Sequence, residues 1–118
     1  MALRIQDGYT LRGETSGKGN SEGETVPVVK IEYRPATAAA MSDFRFRMAH
    51  AVSGAEQHAL RVEFLTAQLL SWDVEEAGKK AAPIEARTLN MIPDPILLDM
   101  VNECAKWKPK PQAEAAGN

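Results

Sequence analysis

The chain has 118 residues, 44% hydrophobic and 25% charged, with a net charge of -2 and a pI near 5.7. That length suits one domain whose core needs no metal, cofactor or disulfide to hold it, and the composition is globular rather than disordered. It excludes a chain built to neutralise a phosphate backbone, for which a pI above about 9 is usual, so nucleic acid is not an expected partner.

In chain order, residues 3–6 form a short alternating run, Asp7-Gly8 follows, and Tyr9 to Arg12 make a second run. An Asp-Gly pair between two such runs predicts a β-hairpin, because the tight turns that join strands need positive φ. Residues 13–25 hold four glycines among polar and charged side chains, a composition that reads as a flexible loop. Val26, Val28, Ile31 and Tyr33 then predict a third strand ending at Pro35, with Pro27 at its start or on a sheet edge.

After Pro35 the pattern turns helical. Residues 37–51 lack Gly and Pro and predict a first helix. Ser53-Gly54-Ala55-Glu56 is a capping box that opens a second one, whose apolar face carries Val62, Leu65, Leu69 and Trp72 at helical spacing. Residues 73–82 read as a polar turn, residues 85–91 as a short helix, and Asp94-Pro95 as the cap and first residue of a last helix. Ile96, Leu97, Met100, Val101, Cys104 and Trp107 form one stripe on that helix. The whole reads as an α+β domain over residues 1–107, a small β-hairpin or three-strand sheet followed by three to four helices, with residues 108–118 as a disordered tail.

A search for chemistry finds no catalytic, cofactor or metal site. His50 and His58 are eight residues apart, not at the spacing of helical metal ligands. Cys104 sits on an apolar stripe, where a thiol is a small hydrophobe, and Glu75-Glu76 reads as solvated charge. The glycines of residues 13–23 lack the Gly-Lys-Ser/Thr and G-x-G-x-x-G patterns that bind phosphate, and Phe44-Arg45-Phe46-Arg47 lies in a helix rather than on a stacking platform. A lone cysteine suits a reducing compartment, no apolar run reaches the roughly 18 residues of a membrane span, and the first residues do not read as a signal peptide. The expectation is a cytoplasmic, non-enzymatic protein that makes no membrane contact.

An ordered set of residues carries a resemblance. Leu69-Leu70-Ser71-Trp72-Asp73-Val74, a turn, Ala82-Pro83-Ile84, Leu89, Ile92-Pro93, and Ile96-Leu97-Leu98-Asp99-Met100-Val101 resemble the C-terminal half of tail assembly chaperone-like proteins of siphophages and prophages. The likeness covers about residues 60–107, and the Tyr33-Arg34-Pro35 step is similar too. The turn after Asp73 departs from the pattern in lacking a clear hairpin signature, and the tail after Trp107 is short. The resemblance implies a stoichiometric chaperone that binds the long helical tape-measure protein during tail assembly in the bacterial cytoplasm, and a longer frameshifted product. A small structural virion protein, at the neck or as a tail-tube accessory, is the alternative. The breadth of the last stripe points to Ile96, Leu97, Met100 and Val101 as residues with one edge left for a tape-measure helix or for self-association.

Overall fold

The computed structural model describes residues 9–78 and 80–106. Seven elements follow one another: β1 (Leu11–Glu14), β2 (Lys30–Tyr33), α1 (Ala38–His50), α2 (Gly54–Gln68), β3 (Leu69–Trp72), α3 (Ala86–Leu89) and α4 (Asp94–Cys104). The strands form one antiparallel sheet in the order β1-β2-β3, so the chain is α+β.

Alternation along β1 and β2 explains the sheet. Leu11, Ile31 and Tyr33 are buried on one face, while Arg12, Glu14 and Lys30 stand on the other in solvent. The inner face packs on α2 and α4, and Leu65, Leu69, Trp72, Leu89, Leu97, Met100 and Cys104 join those strand residues in a single core. The expected strand over residues 3–6, its Asp7-Gly8 turn, Trp107 and the tail over residues 108–118 lie outside the described residues.

Residues 13–25 differ from the loop expected there. Gly13 and Glu14 belong to β1, and Thr15 is buried, its N–H donating to Val29 O at 3.0 Å and its hydroxyl accepting from the Val29 N–H at 2.9 Å. Beyond it the two arms stay paired, with Gly19 N–H donating to Glu24 O and Val26 N–H to Gly17 O, both at 2.9 Å. Gly17 has φ 78°, a left-handed value that glycine adopts without steric cost.

The second helix was expected to run through Trp72, and it does not. It stops at Gln68, and Leu69–Trp72 becomes the third strand, pairing with β2. Trp72 lies opposite Ile31, Ser71 opposite Glu32 and Leu69 opposite Tyr33, which leaves Leu70 as the extra residue of a bulge. A regular strand would put Leu69 and Trp72 on opposite faces. The bulge restores both to the core, so a spacing of three serves strand and helix alike.

Of the two expected caps, Ser53 is one and Asp94 is not. Thr37, expected as the first helical residue, is instead the cap of α1, its hydroxyl accepting from Ala40 N–H at 3.1 Å. Ser53 accepts from Glu56 N–H at 3.1 Å, while the Glu56 carboxylate reaches back to Val52 N–H at 3.2 Å, one residue before the cap amide. Asp94, expected to cap the last helix, is its first residue. Pro93 occupies the cap position, and its carbonyl accepts from the Ile96 and Leu97 N–H groups at 3.0 Å. Asp94 remains in the first turn, where a carboxylate favours the positive end of the helix. The turn after Asp73 is tighter than its composition suggests: Glu75 bridges Ala81, Glu76 N–H donates to Lys80 O at 2.9 Å, and Gly78 takes φ 97°.

Candidate partner-binding surface

The stripe on α4 is the first place to look for a partner surface. Ile96, Leu97, Met100 and Val101 are all buried, packed with Leu89, Cys104 and the sheet. The spacing that made the stripe look too broad for one face is used up because α4 is covered on two sides. Residues 96 and 100 lie one turn apart, residues 97 and 101 form a parallel row about 100° round, and α2 and β1 both approach the helix. These four side chains provide no exposed edge.

Apolar surface remains elsewhere. Phe46 is 63% exposed, Val52 89% and Met91 76%. The first two lie on or just after α1, a helix that buries none of its residues. On one side α1 meets α2 through Phe44, whose ring stacks on Phe64 with centroids 4.5 Å apart. Close by, the Arg47 guanidinium grips the Glu63 carboxylate with two hydrogen bonds, at 2.7 and 3.1 Å. That pairing holds the Glu63 carboxyl below its usual range and raises the Arg47 guanidinium, the hydrogen bond being the first cause in each case. On the other side Phe46 has no core to enter and lies against the His50 ring at 4.2 Å.

Beyond Glu63, the outer face of α2 and the start of α3 enclose an open groove of about 600 Å³. Ala59, Val62, Ala67 and Ala86 line it together with the polar side chains of His58, Glu63, Thr66, Glu85 and Asn90. His58 Nε2 lies 2.7 Å from Asn90 Oδ1, which ties the end of α3 to α2 next to Met91. Glu85 is taken up by Arg87, which also reaches Glu76 at 3.0 Å. The result is a shallow apolar channel with charged walls, a shape suited to the apolar stripe of a helix. Sequence reasoning missed it because its apolar lining is alanine apart from Val62. An alanine on a helix signals helix propensity, not exposure, and nothing in the spacing tells which face α3 will cover.

The titratable groups singled out from the sequence are scattered. Cys104 is buried and its thiol is pushed up to about 12, by burial first and then by the Glu103 charge, so it stays protonated at neutral pH. His50 and His58 serve α1 and the α2–α3 contact separately. Among the described residues, no group of three His, Cys, Asp or Glu side chains converges on a point that could hold a metal ion. No helix among them is long and apolar enough to cross a membrane. The chain matches no protein-family model, no curated protein and no solved structure.

Proposed function

We propose that this protein is a non-catalytic tail assembly chaperone of a bacteriophage or prophage, acting in the host cytoplasm and binding a helical stretch of the tape-measure protein. The observation that carries this reading is the groove between α2 and α3, lined by Ala59, Val62, Ala67 and Ala86, with Met91 exposed next to its lining residue Asn90. A channel lined by small side chains admits a helix closely, and the exposed Met91 extends its apolar surface. The residue order from Leu69 to Val101 points to the same class of protein. The mechanism is stoichiometric: the groove covers an apolar stripe that would otherwise aggregate, and release needs no covalent step.

Co-expression with the tape-measure protein tests it. Ala59→Glu and Ala67→Glu place a charge on the groove at exposed positions that the fold does not bury. Both should abolish co-purification and leave the urea midpoint near that of the unaltered protein. Co-purification that survives both substitutions would sink the groove as the site. An equimolar amount of the protein in finished particles would favour a structural virion component instead.

A further inference from the structure

Among the described residues the sheet ends on β1, and the parity of its hydrogen bonds fixes which backbone groups look outward. In an antiparallel ladder every second residue bonds to a given neighbour. Thr15 N–H donates to Val29 O, and the register sets Gly13 against Ile31 and Leu11 against Tyr33, so these three β-residues bond towards β2. The far side of β2 keeps the same parity. Arg34 N–H donates to Gln68 O at 2.9 Å and Asp73 N–H to Lys30 O at 3.2 Å, which turns the even-numbered residues of β2 towards β3. Arg12 and Glu14 therefore aim their N–H and C=O groups away from the sheet, where no described strand lies. The next outward amide, that of Ser16, is closed by Asp99 Oδ2 at 2.6 Å.

We propose that a second copy of this chain pairs with that edge, antiparallel, about a two-fold axis through Gly13. Such an axis sets Arg12 opposite Glu14 of the second copy and Glu14 opposite its Arg12. Parity makes these the bonded pairs, so the two strands exchange four backbone hydrogen bonds and join two three-stranded sheets into one of six. The side chains match as well as the backbone. Arg12 and Glu14 share the solvent face, and the Arg12 side chain is 88% exposed and held only at 3.8 Å from Glu32. Opposite charges directly across a strand pair stabilise it, and here the match occurs twice by symmetry. Gly13, at the centre, has no side chain to add beneath the Glu103 carboxylate that stands over it, and that carboxylate carries the Lys106 ammonium at 3.0 Å. The ladder ends where Asp99 closes the Ser16 amide, so the contact is short and the dimer depends on concentration.

Sedimentation velocity of the full chain over a concentration series tests the proposal, with circular dichroism to check folding. The unaltered protein should show a reversible monomer–dimer equilibrium. Arg12→Glu and Glu14→Arg each set like charges opposite one another and should weaken dimerisation about tenfold. An equimolar mixture of the two single variants restores both matches across the contact and should dimerise more tightly than either variant alone. A monomer at every concentration, a dimer indifferent to the single reversals, or a mixture that dimerises no better than its components would each overturn it. If the chain's own residues before Tyr9 fill the edge, the full chain is monomeric and only a variant lacking them dimerises, which also rejects the proposal.

Discussion

Trp72→Ala is the sharpest test of how the core is closed. Trp72 ends β3, is buried among residues of the sheet and the last helices, and donates its indole N–H to Ala82 O at 2.7 Å. The bond clamps the turn after β3 back onto the sheet, together with Ala82 N–H donating to Val74 O at 2.8 Å. Truncation removes the largest side chain available to this core and leaves a cavity, for which about 3 to 5 kcal/mol is usual. It also leaves the Ala82 carbonyl without its donor, in itself about 1 to 3 kcal/mol for a buried group, so the upper end of the first range is expected rather than the sum. Trp72→Phe separates the two effects, because it keeps most of the apolar volume and removes the donor. It should cost less than half as much. Urea unfolding followed by circular dichroism reads both as shifts in midpoint at constant slope. An unchanged midpoint for Trp72→Ala would refute the placement of the indole in the core.

Two further outcomes follow from packing and from charge. Because α1 buries no residue and α4 buries six, amide exchange should be faster throughout α1 than in α4, and Phe44→Ala should speed it further; equal protection in the two helices would contradict the packing. Tyr33 and Cys104 are both raised to about 12, each by burial first and then by Glu103, from ordinary values of 10.0 and 9.0. Below pH 9 both are neutral in the folded and unfolded chains. As pH rises past 9 the unfolded chain ionises first, so stability should decline from there towards pH 12, and a urea midpoint flat between pH 8 and 11 would reject the shifts.

The parts of the fold that were legible from the sequence are those decided locally. Ser53 announces a helix start because a hydroxyl three residues before an orphan N–H satisfies it whatever the rest of the chain does. The alternation in Lys30–Tyr33 is likewise local. What escaped was decided by distant partners. Whether Ile96, Leu97, Met100 and Val101 are covered depends on how α2 and β1 approach α4, and whether Ala59 and Ala86 line a groove depends on where α3 lands. Neither placement leaves a mark in spacing.

Residues 69–72 are the clearest case of two structures sharing one pattern, and a deletion tells them apart. In a helix, Leu69 and Trp72 share a face because three residues turn the chain by about 300°. In the strand they share a face because Leu70 is the unpaired residue of the bulge between Tyr33 and Glu32. Deleting Leu70 has opposite consequences for the two. The helix would lose one residue between its two core side chains and turn the indole by about 100° away from the apolar face. The strand would lose its bulge and become regular, with Leu69 in, Ser71 out and Trp72 in, the alternation an unbulged ladder with β2 requires. The Leu70 deletion should therefore leave a cooperatively folded protein, with the indole still buried and its fluorescence still shifted to short wavelength. Deleting Glu63, in the middle of α2, is the matched control. Glu63 is exposed, so no core atom is removed, yet the deletion puts Phe64 and Leu65 out of step with Leu60 and Val62 and should unfold the chain. If the Leu70 deletion is as damaging as the Glu63 deletion, the bulged strand is the wrong account of how Trp72 reaches the core.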